Sequence, residues 1–233
     1  MSVLGIDTST AVCAAALVSD GSVISSAEAG TPRAHAEKLL ATIDECLGPA
    51  PGQPPDAVAV ASGPGSFTGL RIGLSAAKGL CFARGPALVT VPTFEAWAFG
   101  VVLDGRAADG APLLAVMSAG RDDVYVATYR RTGPVVVVDR APSVIPVNEL
   151  REFVKGAGDA VVMTDDRVRA PAWFAGLPPE RVVFVTGGGR NPAVSVALLG
   201  ERMFRSGETA DLRSAEPAYV REFSYKLKNG RGA

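Results

Sequence analysis

Two places in the chain gather residue types that could handle a phosphate. One is Asp7-Thr8-Ser9, a carboxylate and two hydroxyls that close an apolar run at Val3 to Ile6. The other is SGPGSFTGLRIGLSAAKGL, Ser62 to Leu80, where glycines lead into a helical pattern. The start of a helix presents free N–H groups and partial positive charge, so such a corner can hold an anion. The phosphate-loop pattern G-x-x-x-x-G-K-[ST] is absent, because counting from Gly63 puts Thr68 at the second glycine with no Lys-Ser or Lys-Thr after it. The dinucleotide pattern G-x-G-x-x-G fails at the same threonine. Two readings remain. Either a helix capped by Ser66 or Thr68 binds an anion, or Gly69, Gly73, Ala76 and Ala77 form a small-residue face for close packing.

These residues need strands and helices to hold them. Val3 to Ile6, Val12 to Val18 and Val23 to Ala27 read as strands, the last two joined at Asp20-Gly21, a dipeptide suited to a tight hairpin. Helical spacing then places Ala36, Leu39, Leu40, Ile43 and Leu47 on one face, and Gly48-Pro49 stops the pattern. A strand at Ala57 to Ala61, a helix at Gly69 to Ala83, a strand at Ala87 to Val91 and a helix at Thr93 to Leu103 follow. The alternation predicts a parallel sheet covered on its faces. The second half repeats the order, with strands at Leu113 to Met117, Val124 to Tyr129 and Val135 to Val138, the last two joined by a turn at Thr132-Gly133. That predicts a duplicated lobe. A helix near Val147 to Lys155, strands at Ala160 to Met163 and Val182 to Val185, and a helix from Pro192 to Arg205 capped by Asn191 complete it.

Composition excludes several classes. The 233 residues, 48% hydrophobic and 20% charged, suit one large or two small folded domains. A net charge of −1 supplies no general basic field for nucleic acid. The three cysteines, Cys13, Cys46 and Cys81, form no C-x-x-C pair or disulfide framework, which points to a reducing cytoplasm. No apolar run approaches the length that crosses a bilayer, so neither secretion nor membrane insertion is expected.

GIDTST, RAHAEKL, SGPGSFTGLRIGLSAAKGL, DDVYVATY and AEPAYVRE occur in this order over nearly the whole chain, which thereby resembles the bacterial TsaB (YeaZ) family. The resemblance implies an α/β fold of the actin, Hsp70 and sugar-kinase kind, built of two ribonuclease-H-like lobes. Residues 1–105 would form the N-terminal lobe carrying the partner-binding helices, 106–223 the C-terminal lobe, and 224–233 a flexible basic tail. It implies a non-catalytic role in making threonylcarbamoyladenosine beside the anticodon of tRNA, with the catalytic subunit TsaD and the ATPase TsaE as partners. The expected partner surface comprises His35, Leu39, Leu40, Ile43 and Leu47 on the first helix, with Leu70, Arg71, Leu74, Ala77 and Lys78 on the second. The same surface would support a homodimer when the partner is absent.

Catalytic relatives bind metal through an H-x-x-x-H pair, whereas here His35 is the sole histidine and Leu39 stands four residues on, so no metal is expected. Asp7, Thr8, Ser9, Gly65 and Ser66 are the candidate nucleotide contacts; Asp7 reads equally as a carboxylate that accepts turn N–H bonds. The second lobe's matching strand end is Met117-Ser118-Ala119-Gly120-Arg121, where the family pattern carries D-A-R, so a second carboxylate is missing there. Gly187 to Gly189 read as a turn feeding the Asn191 cap, and Trp97, Trp173 and Tyr219 as core or edge aromatics without interleaved basic residues. No cofactor is expected on this chain alone, with ATP or ADP assigned to the complex. The alternative function is an ATP-dependent phosphotransferase. Contact with tRNA is expected only through the complex; Lys226, Lys228 and Arg231 read first as a solvated tail, and alternatively as a source of added phosphate contacts to tRNA held there.

Overall fold

The computed structural model describes residues 1–30, 35–48, 54–120, 122–186 and 190–220. Strands β1 (Ser2–Asp7), β2 (Val12–Ser19), β3 (Ser22–Gly30), β4 (Ala57–Gly63) and β5 (Ala87–Pro92) form one sheet in the order β3-β2-β1-β4-β5. Strands β6 (Pro112–Ser118), β7 (Asp123–Thr132), β8 (Val135–Pro146), β9 (Val161–Thr164) and β10 (Val182–Phe184) form the other, in the order β8-β7-β6-β9-β10. Both sheets thus place first, second and third strands on one side and fourth and fifth on the other. This is the duplicated α/β lobe of the actin-like fold.

The sheets are mixed rather than parallel. β1, β2 and β3 form an antiparallel meander, and only β4 and β5 continue parallel to β1. The second sheet repeats this arrangement. The reason is local. Asp20 (φ 46°) and Gly21 (φ 77°) make a two-residue reversal too short for a parallel crossover.

Helices α1 (His35–Leu47) and α2 (Phe67–Arg84) cover one face of the first sheet, where Leu39 and Ile43 meet Leu4, Ile6, Val58 and Val60. Helix α4 (Leu150–Gly156), entered through a 3-10 turn at Val147–Glu149, and the single-turn α5 (Ala170–Trp173) cover the second sheet's outer face. Helix α3 (Thr93–Leu103) lies between the lobes. Apart from Glu95 in its first turn it is largely apolar around its circumference, with Ala96 and Phe99 in the first sheet's core and Phe94, Trp97 and Val101 in the second's.

Helix α6 (Pro192–Arg205) corrects the expected boundary. Its Ala193, Val196 and Ala197 pack with Val3, Ala14 and Ala59 of the first sheet. A Cβ built on Gly5 would stand 2.5 Å from the Ala193 carbonyl oxygen, so that strand position has no room for a side chain. Beyond α6 the chain stays with the first lobe: Ala210 donates its N–H to the Leu88 carbonyl, and Leu212 and Ala215 pack on the core beneath α1 and α2. The region 106–223 therefore divides in space, its last helix and final described segment returning to the N-terminal lobe. Lys226, Lys228 and Arg231, expected in a basic tail, lie outside the described residues.

Candidate functional site

Strand β1 ends in a closed hydroxyl turn. Asp7 Oδ1 accepts from the Ser9 N–H at 2.8 Å and from Ser9 Oγ at 2.6 Å, while Thr8 Oγ1 donates to the Gly69 carbonyl at 2.7 Å. The Ser66 N–H donates to the Ser9 carbonyl at 2.7 Å. Ser66 also caps α2, its hydroxyl accepting from the Gly69 N–H at 3.2 Å. Asp7, Thr8 and Ser9 are all buried. In this conformation their side chains present almost no surface to a nucleotide arriving from solvent.

The glycines of the long motif make that closure sterically feasible. A Cβ at Gly69 would lie 2.0 Å from the Thr8 carbonyl oxygen, and one at Gly73 would lie 2.3 Å from Thr8 Oγ1. The close neighbour is therefore the β1 turn of the same chain. Of the candidate nucleotide residues, the structure brings Asp7, Thr8, Ser9, Gly65 and Ser66 together; Gly65 is half-buried and Ser66 exposed at the helix start.

The same motif receives the C-terminal segment. Gly63 adopts φ +125°, and a Cβ there would meet the Ala218 carbonyl oxygen at 2.6 Å. The Ala218 N–H donates to the Ser62 carbonyl at 2.7 Å. One residue later, the Tyr219 ring lies 5.3 Å from Phe67, and Arg71 places its guanidinium 3.7 Å from the Phe67 ring centroid. Tyr219 is thus not an edge aromatic apart from basic residues. The stretches GPGSFTGLR and AEPAYV meet, although most of the sequence separates them.

The expected partner face needs correction. Leu39 and Ile43 are each 1% exposed, and Leu70, Leu74 and Ala77 are also buried. Leu39, Ile43, Leu74 and Ala77 cover their own sheet, because an amphipathic helix must first satisfy the core it lies on. Leu40, 60% exposed, and Arg71 do face outward, while Leu47 and Lys78 are half-buried. The side chain of His35 lies outside the described residues. Sequence reasoning missed Phe82, which is 88% exposed. Its signal is an aromatic on the outward stripe Arg71, Ser75, Lys78 and Phe82, spaced at i, i+4, i+7 and i+11.

Across the lobes, β9 ends at Thr164, followed by Asp165. Burial pushes the Asp165 carboxyl up to about 6, with the charges of Asp166 and Asp7 adding to the rise and Arg169 opposing it. A second carboxylate therefore stands within electrostatic reach of Asp7, at β9 rather than at the β6 end. Its signal is Thr164-Asp165, which echoes Asp7-Thr8 at the end of a strand. At the β6 end, Ser118 Oγ pairs with Arg169 Nη1 at 2.6 Å, and Arg121 lies outside the described residues. Gly187 to Gly189 do too, but Asn191 caps α6, accepting from the Ala193 N–H at 2.9 Å. Among the described residues no three His, Cys, Asp or Glu side chains gather as a metal site, and no helix is long and apolar enough to cross a membrane.

Residues 27–176 match the family model described as TsaD, tRNA N6-adenosine threonylcarbamoyltransferase. The chain is 29% identical over 225 residues to the tRNA threonylcarbamoyladenosine biosynthesis protein TsaB of Escherichia coli (strain K12), covering 95% of each. It is 30% identical to the Bacillus subtilis (strain 168) protein of the same name over 132 residues, 56% of each. The solved structure of YeaZ from Pseudomonas aeruginosa superposes with a TM-score of 0.76 at 24% identity, over 94% of this chain and 99% of that one, a likeness of fold.

Proposed function

The chain belongs to the TsaD family, in its TsaB (YeaZ) branch of tRNA threonylcarbamoyladenosine biosynthesis proteins, and from that membership we propose that it is a non-catalytic subunit that binds and stabilises the transferase TsaD, working with the ATPase TsaE. The observation that carries this reading is the pair of exposed apolar side chains, Leu40 on α1 and Phe82 on α2, on the two helices that cover one face of the first sheet. A partner helix laid along them would desolvate both, with exposed Gly79 allowing close approach and Arg71 supplying charge at the rim. The same layer serves a homodimer when TsaD is absent. The protein acts in the cytoplasm, reaches tRNA only through the complex and binds no cofactor alone, leaving ATP or ADP to the assembly.

The test is co-purification of TsaD with the Leu40→Glu plus Phe82→Glu variant. Both positions are exposed, so the variant is expected to keep its circular dichroism and melting temperature while losing TsaD. Undiminished co-purification of TsaD would sink the proposed surface. A second reading, an ATP-dependent phosphotransferase, draws on the charge of Asp7 acting on Asp165, because two carboxylates near one another could hold a magnesium nucleotide if the buried β1 turn opened to solvent. Calorimetry with Mg-ATP on the isolated chain separates the two: tight binding favours the phosphotransferase, and no heat at saturating nucleotide removes it.

A further inference from the structure

Helix α4 and the turn that follows α5 leave an open cleft between them on the second lobe. Val154, Phe174 and Leu177 give it an apolar lining, and the first two are buried members of the core beneath. Trp173 lines it from the end of α5, while Arg151 and Lys155 line it from α4, four residues apart. The fold thus brings two cations to an aromatic side chain distant in sequence. No carboxylate is among the lining residues. The two cations differ in their partners. Lys155 Nζ is paired with Glu152 Oε1 at 2.6 Å, whereas Arg151 makes no hydrogen bond or ion pair among the described residues. Arg169, whose guanidinium carbon lies 5.8 Å from the Trp173 ring centroid, is already engaged by Ser118 Oγ at 2.6 Å and by Asp166 Oδ2 at 3.5 Å. Arg151 is therefore the cation of the cleft with donors left to give.

Apolar walls, an indole and one uncompensated guanidinium together select the ligand chemistry. An apolar body gains by leaving water against Val154, Phe174 and Leu177, and a ring gains further beside an aromatic. The guanidinium calls for an anion, and its planar fork matches the two oxygens of a carboxylate. Charge narrows it further: with Lys155 already balanced by Glu152, one negative charge completes the site, where a phosphate monoester would bring about two. We propose that this cleft is a binding site for an aromatic monocarboxylate, its carboxylate on Arg151 and its ring beside Trp173, Val154, Phe174 and Leu177. Occupancy would tie α4 to α5 through one ligand. The site belongs to the other lobe from Leu40 and Phe82, so it stands whether or not TsaD docks on those residues.

Benzoate is the probe, with benzyl alcohol as the ring without the charge and acetate as the charge without the ring. The indole N–H resonances of Trp173 and Trp97 in the ¹⁵N-labelled whole chain, assigned with Trp173→Phe, would be followed through each titration at constant ionic strength. The expected result is a saturable shift of Trp173 with benzoate, an unmoved Trp97, and binding at least about tenfold weaker for either control. Arg151→Gln, at an exposed position without a partner, should keep the fold and weaken benzoate binding about tenfold through loss of the charge-assisted contact. Benzyl alcohol or acetate binding as well as benzoate, a Trp173 shift that does not saturate, or Arg151→Gln titrating like the parent would each overturn the proposal.

Discussion

Arg71 donates from Nε to the hydroxyl of Tyr219 at 2.8 Å, joining residues 148 positions apart. Arg71 rises from the second turn of α2 and Tyr219 from the last described segment, so this bond and the Phe67 ring between them latch the chain's end onto its glycine motif. Tyr219→Ala should therefore lower stability by about 1–2 kcal/mol, combining a lost hydrogen bond with an exposed aromatic contact. Limited proteolysis should cut sooner between 211 and 220. Unchanged melting and cleavage would show that the latch holds nothing.

Helix α2 contains two glycines with opposite surroundings. A Cβ at Gly69 would press on the Thr8 backbone oxygen at 2.0 Å, whereas one at Gly79 meets nothing within 4 Å. Gly69→Ala should cost about 2–3 kcal/mol, because the helix must move off the β1 turn. Gly79→Ala should instead add about 0.5–1 kcal/mol from helix propensity alone. Denaturant unfolding of the two variants checks both signs, and equal effects would contradict the packing described for the motif.

Adjacent leucines on α1 divide core from surface. Leu39→Ala should destabilise by about 2–5 kcal/mol, as expected for a cavity in a packed core. Leu40→Ala should stay within about 0.5 kcal/mol of the parent. Comparable losses at both positions would mean that α1 is rotated from the orientation described.

The raised carboxyl of Asp165 should make stability depend on pH. Its folded value of about 6 lies above the ordinary 3.8, so the folded state holds the proton more tightly than the unfolded chain. The resulting stabilisation is complete below about pH 4 and lost as pH rises through about 6. Asp165→Asn, which keeps the shape without the charge, should thus be more stable than the parent at pH 7, by up to about 3 kcal/mol. The gain should vanish towards pH 4. A gain that persists there would assign it to something other than this ionisation.

Much of the local structure was legible in the sequence. The span of α3, the Asn191 cap of α6, the Asp20-Gly21 reversal and the repeated strand order all follow from short-range rules of periodicity, capping and turn geometry. So did the pairing of Asp7 with its own turn, since an aspartate two residues before a serine readily accepts that N–H.

Other features were decided only by the tertiary structure. Helical spacing marked Leu39, Ile43 and Leu74 as apolar, but burial has no direction in sequence, and the sheet beneath claimed them before any partner could. For the same reason α6, though it follows the second lobe in the chain, packs on the first. Tyr219 met Arg71, and the Asp7 charge reached Asp165, because chain crossings bring distant residues together. The sequence by itself determined which segments would be strands and helices and which of their faces would be apolar. Only the tertiary structure decided what each face would meet, because hydrophobic attraction rewards any apolar partner and the connected, excluded volume of the chain selects one.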